Sequence, residues 1–154
     1  MTHLKVGDPA PVFSAKDHNG NPVHLGSLKG QKVILFFYPK DNTPGCTAEA
    51  CSLRDNYTEL INRGFTLIGI SPDSEKSHRN FSSKFSLPFP LIPDQEKKIL
   101  QDYGVWGEKK MYGKSYMGVL RTTFIIGEKG KIERIIEKVR TGDHAQQILE
   151  ESSG

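Results

Sequence analysis

KVILFFYPKDNTPGCTAEACSLRDNYTELINRGFTLIGI, residues 32–70, decides the fold. Its first seven residues, 32–38, are a continuous apolar run rich in Val, Ile and Phe. Such a run suits a strand buried on both faces, at the centre of an α/β sheet. Pro39 and the Thr-Pro-Gly at 43–45 end it. Residues 47–62 then carry Ala50, Leu53, Tyr57, Leu60 and Ile61 at helical spacing, with Gly64 placed as a C-cap. Residues 65–70 (FTLIGI) form a second buried run. Strand, helix and strand in this order predict a βαβ unit with two parallel strands and a right-handed crossover.

Outward from this unit the pattern continues. Residues 8–13 and 22–25 flank Asn19-Gly20, a hairpin signal. A helix is predicted over 74–85 after Pro72-Asp73, a short strand over 89–92, and a helix over 94–103 ending at Gly104. Residues 107–118 read as an exposed loop. Strands over 120–126 and 131–137 are joined by the GEKG turn, and a terminal helix over 143–151 is capped by Asp143. The prediction is one α/β domain over residues 1–154, a mixed central sheet flanked by helices with an N-terminal β-hairpin.

The 154 residues fit a single core. A net charge of +3, dispersed along the chain, does not mark a nucleic-acid binder. No apolar run is long enough to span a membrane. The start, MTHLKVGDPAPVF, lacks a charged segment followed by an apolar one, so no secretory signal is read there.

The chain has two cysteines, Cys46 and Cys51, which excludes a disulfide-stapled scaffold. The pair is structural, metal-binding or redox-active. Zinc wants about four ligands, and no histidine lies nearby in sequence. Cys46 follows a buried strand and opens a helix, where partial positive charge and free N–H donors favour a thiolate. On one intact helix, residues five apart have Cα atoms about 8.7 Å apart. A disulfide tolerates roughly 7 Å at most, so bonding the two cysteines requires the helix to unwind.

Pro39-Lys40-Asp41-Asn42-Thr43-Pro44-Gly45-Cys46 resembles the peroxiredoxin active-site motif, Pro-x-x-x-Thr-x-x-Cys. The longer string FFYPKDNTPGCTAEAC is similar to the bacterioferritin-comigratory-protein (PrxQ) branch, with its second cysteine five residues after the first. The likeness extends from GDPAPVF to LRTTFIIG, departing at Gly127, where the branch usually has Asp. It implies a thioredoxin-like fold and reduction of hydrogen peroxide and organic hydroperoxides. In this resemblance Cys46 matches the peroxidatic cysteine and Cys51 the resolving one. Thr43 matches the hydroxyl bonded to thiolate and peroxide, Pro39 a shield, Arg121 the distant arginine, and Glu49 the acid that orients it. Thioredoxin or a similar dithiol is the implied reductant. No metal, haem or nicotinamide cofactor is implied. The expected state is a monomer or weak dimer in a bacterial cytoplasm, or in an organelle matrix or stroma after loss of a transit peptide. A thioredoxin-type reductase is disfavoured because such proteins use Cys-x-x-Cys.

The chemistry asks for more than an acidic thiol. Lowering any cysteine's pKa from ~8.5 to ~6 gains roughly 30-fold in thiolate at neutral pH. Nucleophilicity falls with a slope of ~0.4–0.5, returning about 10–20-fold of that gain. Charge stabilisation and alignment must therefore supply most of the rate. Arg121 offers a fixed fork of donors on a permanent cation.

Overall fold

The computed structural model describes residues 1–152. A short antiparallel hairpin comes first, β1 (Ser14–Lys16) with β2 (Pro22–His24). Its turn is tied by Asp17, whose Oδ1 accepts from Asn19 N and Asn21 N, each at 2.9 Å. The first strand of the hairpin thus lies beyond the 8–13 segment the sequence suggested, because Asp17 rather than Asn19 organises the turn. β3 (Lys32–Phe37), α1 (Pro44–Asp55), α2 (Tyr57–Asn62) and β4 (Phe65–Ser71) form the expected βαβ unit. Then come α3 (Glu75–Phe85), β5 (Leu91–Pro93), α4 (Lys98–Asp102), β6 (Trp106–Met111) and β7 (Lys114–Val119). β8 (Thr122–Ile126), β9 (Ile132–Ile136) and α5 (His144–Ser152) complete the chain.

The main sheet has the order β5-β4-β3-β8-β9. β3 pairs in parallel with β4 and antiparallel with β8, so Leu35 faces Ile68 on one side and Phe124 on the other. Alternation along β3 splits the core. Ile34, Phe36 and Tyr38 pack under α1, α2, α3 and α5, with Ala50, Leu53, Leu60, Phe81 and Ile148. Val33, Leu35 and Phe37 face the opposite layer, with Leu25, Ile99, Leu100 and Tyr103. Period-two alternation between two covered faces explains why the run is apolar at every position. Among the described residues no helix is long and apolar enough to cross a membrane.

Three further elements differ from the sequence reading. Helix 47–62 is two helices, and the first begins at Pro44. The break falls at Asn56, whose backbone leaves the helical region (φ −112°, ψ 16°) and whose Nδ2 donates to Ser52 O at 2.8 Å. Residues 107–118 are an antiparallel hairpin, not a loop: β6 and β7 pair from Trp106 opposite Val119 to Met111 opposite Lys114. Tyr112 and Gly113, both at positive φ (53° and 77°), make its two-residue turn. The helix expected over 94–103 shrinks to α4, because Asp94 Oδ2 instead accepts from Leu100 N at 2.8 Å and Lys97 is left-handed (φ 61°). Ser74 caps α3 as its position suggested, accepting from Ser77 N at 3.1 Å. Asp143 sits in a tight turn before α5, and its carboxylate pairs with Arg140. At Gly127 a Cβ would lie 2.6 Å from the Glu133 carboxyl. The missing side chain leaves room for Glu133, and the β8–β9 turn closes through Gly127 N to Lys131 O at 2.9 Å.

Candidate active site

β3 runs toward one edge of the sheet and the chain leaves it there for the loop 38–43 and the start of α1. Because β8 is antiparallel to β3, Thr122 lies opposite Phe37 at that same edge. Arg121, one residue before β8, is thereby delivered beside the first turn of α1. β9 runs antiparallel to β8 and also ends at this edge, with Ile136 opposite Thr123, so the turn leading into α5 arrives there too. Three chain segments distant in sequence converge by strand direction alone.

Thr43 is the N-cap residue of α1 and Pro44 occupies the first helical position, where a missing N–H costs nothing. Cys46 follows in the first turn, so the N–H groups of Gly45 and Cys46 have no partner within the helix. Cys46 is buried, 2% exposed. Arg121 Nη2 donates to its Sγ at 3.3 Å, and Arg121 Nη1 donates to Glu49 Oε1 at 2.7 Å. Cys46 and Glu49 lie three residues apart and share one face of α1. Together they hold the two arms of the guanidinium fork. Glu49 is fully buried. Burial raises its pKa to about 7 against the opposing pull of Arg121.

Gly45 makes this approach possible. A Cβ there would come 3.2 Å from Arg121 Nη2. Ala is the better helix former, so Gly45→Ala should leave stability unchanged or higher. By displacing the guanidinium it should slow thiol oxidation about tenfold, given that a misplacement of ~1 Å can cost 10²-fold. Stopped-flow oxidation alongside thermal melting checks this; an unchanged rate would mean the fork has room to spare.

The other expected residues are placed as follows. Cys51 lies on the same unbroken helix, half-buried and unbonded to Cys46. Pro39 is half-buried at the start of the loop. Thr43 is half-buried beside Cys46, but its hydroxyl donates to Lys40 O at 2.8 Å, so in this state its hydrogen bond is to the loop and not to the sulfur. The loop is anchored by Asp41, which accepts from Tyr38 OH (2.7 Å), Ser77 Oγ (2.8 Å) and His78 Nδ1 (2.7 Å). Asp41 N in turn donates to Asp73 Oδ2 at 2.8 Å. Asp41, Asp73 and His78 are grouped closely enough to suggest a metal centre. Their atoms are already taken up by one another, by Ser71 and Ser77, and by the Ile92 carbonyl, so the cluster reads as an anchor.

Two residues were missed in the sequence. His144, among five scattered histidines, is fully buried with Nε2 3.6 Å from Glu49 Oε2. Lys109, expected in a solvated loop, is half-buried on β6 and senses the site: burial and then the Arg121 cation lower its pKa, while Cys46 raises it. Neither carried a local signal, because tertiary pairing alone brings His144 to Glu49 and Lys109 near Arg121 and Cys46.

The chain matches the AhpC/TSA family over residues 6–135. It is 43% identical to peroxiredoxin Bcp of Escherichia coli over 149 residues, 97% of this chain and 96% of that protein. It is 41% identical to peroxiredoxin Bcp of Bacillus subtilis over 147 residues, 96% of this chain and 94% of that one. Its structure is similar to peroxiredoxin Q of Xanthomonas campestris, with a TM-score of 0.88 and 32% identity over 99% of this chain and 96% of the other. A second similar structure is BcpB of Mycobacterium tuberculosis, with a TM-score of 0.84 and 34% identity over 96% of both chains. With a buried thiol held under an arginine fork, and this likeness along nearly its whole length, the chain belongs to the AhpC/TSA family, in its Bcp/PrxQ branch of thiol-dependent peroxidases.

Proposed function

We propose that the chain reduces hydrogen peroxide and organic hydroperoxides through Cys46, resolves the product with Cys51, and is recycled by thioredoxin or a similar dithiol. The observation that carries this reading is the Arg121 fork, 3.3 Å from the Cys46 sulfur on one arm and fixed by Glu49 on the other. The thiolate attacks the terminal peroxide oxygen, an S–O bond forms as the O–O bond breaks, and the alcohol or water departs. The arginine cation and the free N–H groups of the first helical turn stabilise charge moving onto the leaving oxygen. Thr43 orients the peroxide by turning its hydroxyl from Lys40 to the substrate, and Pro39 shields the sulfur from bulk water. The structure of X. campestris bacterioferritin comigratory protein was described in connection with alkyl peroxide reduction, which supports including organic hydroperoxides. Peroxide consumption measured with and without thioredoxin and its reductase tests the reading. Loss of peroxide that depends on the dithiol supports it, and inertness under both conditions overturns it.

The sulfenic acid formed is the reversible rung of cysteine oxidation. Cys51 condenses with it, releasing water. Both cysteines are on α1, where five residues separate Cα atoms by about 8.7 Å, beyond the ~7 Å a disulfide allows. Resolution therefore unwinds the first turns of α1, at about 1 kcal/mol net for each hydrogen bond given up. The same opening exposes both sulfurs to a dithiol protein. Just beyond Cys51, Ser52 Oγ accepts from Ala145 N at 3.1 Å, a bond that docks α5 on α1. Amide exchange over residues 44–56 should be faster in the oxidised protein than in the reduced one. Equal protection, with the disulfide verified by mass, would contradict this mechanism. Since one helix supplies both sulfurs, a monomer suffices, and a reducing cytoplasm would supply the dithiol.

A further inference from the structure

Glu49 Oε2 is buried and accepts no hydrogen bond among the described residues. A carboxylate oxygen left bare in the interior is costly, about 1–3 kcal/mol or more. The group facing it is His144 Nε2, at 3.6 Å. The state of that nitrogen follows from a chain of hydrogen bonds. Gln147 Nε2 donates to Lys138 O at 2.9 Å, and its Oε1 accepts from Arg140 N at 3.0 Å, which orients the amide. The same Oε1 lies 2.9 Å from His144 Nδ1, so Nδ1 carries the ring proton. Nε2 is then an acceptor, receiving the Thr123 hydroxyl at 2.8 Å. Nε2 therefore has no proton to offer Oε2, and its one lone pair is taken by Thr123, so a carboxylate at Glu49 would leave Oε2 buried without a donor.

We propose that Glu49 is the proton store of this site: neutral while Cys46 is a thiolate, its proton on the otherwise unpartnered Oε2, and ionised once the sulfur is oxidised. His144 is the positioning residue: it turns its N–H to Gln147 and offers Oε2 no donor, which disfavours the carboxylate. The inference rests on the peroxidase reading above. Arg121 bonds both Cys46 and Glu49, and a single buried cation is balanced by one anion. While the thiolate holds that place, Glu49 stays neutral and still accepts from Nη1 through Oε1. When the sulfur becomes a neutral sulfenic acid, the cation falls to Glu49, which ionises. The net step is Cys46 S⁻, Glu49 carboxylic acid and ROOH giving Cys46 S–OH, Glu49 carboxylate and ROH. One S–O bond forms and one O–O bond breaks. Sulfur gives two electrons to the peroxide, and the proton gained by the departing RO⁻ is matched by the one Glu49 gives up. Arg121 stands between donor and sulfur.

The charged groups around the pair agree. Burial holds His144 neutral, with its pKa lowered to about 4, Arg134 of β9 and Arg121 adding to the effect and Asp143 opposing it. Lys109 of β6 feels both Arg121 and Cys46, and Arg121 feels both Glu49 and Cys46.

The test counts protons. A Cys51→Ser background stops the reaction at the sulfenic acid, and one equivalent of hydrogen peroxide is added in weak buffer with a pH indicator, below the pH of about 7 to which burial raises the Glu49 carboxyl, so that the store starts loaded. With Glu49 present, uptake from solvent should be close to nil. With Glu49→Gln, which keeps the shape but stores no proton, uptake should rise by about one proton per sulfur. His144→Gln sets an N–H donor against Oε2, favours the carboxylate beforehand, and should shift uptake in the same direction. A mass gain of one oxygen atom reports the chemistry separately. No gain with Glu49 and His144 intact overturns the peroxidase reading. Gain with equal uptake whether Glu49 is present or replaced by glutamine overturns the proton store. Uptake unmoved by His144→Gln in a folded protein removes His144 from the role. Should His144→Gln unfold, Glu49→Gln carries the test by itself.

Discussion

Cys46→Ser should lower peroxide turnover on the order of 10³-fold or more, the scale expected when a nucleophile is removed, while the chain still folds. The serine hydroxyl stays un-ionised at neutral pH and is a poor nucleophile toward an O–O bond. Cys51 does not replace it: it lies on another part of α1 and has no bond to Arg121, whereas Cys46 Sγ receives Nη2 at 3.3 Å. The fold tolerates the change because Ser is close in size to Cys, and the buried hydroxyl meets the same guanidinium donor, leaving no unpaired polar atom. Peroxide consumption under dithiol recycling, together with a thermal melt, checks both halves. Near-normal turnover in the folded variant would sink the assignment of Cys46 as the attacking sulfur.

Legibility in the sequence follows burial. β3 and β4 are unmistakable because both of their faces are covered, so every residue from Val33 to Phe37 is apolar. The β6–β7 hairpin is the opposite case. Most of its side chains are exposed or half-buried, with Tyr112 95% exposed at the tip, so no alternation marks it and Lys-Lys-Met-Tyr-Gly-Lys reads as solvated loop. The break at Asn56 is also hidden, since Leu53, Tyr57 and Leu60 keep helical spacing across it. In the site, Cys46 and Glu49 are legible as neighbours because three residues on a helix set them on one face. Arg121 was reached by resemblance, and the physical reason for its place is strand direction: β8 antiparallel to β3. His144 needs two such pairings in succession, β8 with β3 and β9 with β8, before it lies behind Glu49. A single histidine at the start of a terminal helix gives no hint of that.

Arg121→Met should slow thiol oxidation by about 10²–10³-fold, the loss expected when a charge-stabilising donor is removed, and raising the pH should not restore it. Methionine fills the space of the aliphatic stem but brings neither cation nor donors. Two effects then separate. The thiolate loses the Nη2 bond at 3.3 Å, and alkaline pH can replace that loss by ionising the thiol without help. The leaving oxygen loses the donor that would meet its growing charge, and no change of pH supplies another. The near-cancellation between thiolate fraction and nucleophilicity makes the first effect small and the second large. Removing the cation should not wreck the fold. Arg121 is the force that lowers the pKa of Glu49 against burial, so without it the carboxyl stays protonated across neutral pH and no bare charge is left in the core. Single-turnover oxidation rates, measured beside a spectroscopic titration of the thiolate in the Cys51→Ser background, divide the two effects. If the variant regains the wild-type rate once its thiol is fully ionised, Arg121 acts through acidity alone, and stabilisation of the leaving oxygen has to be assigned to the first helical turn of α1.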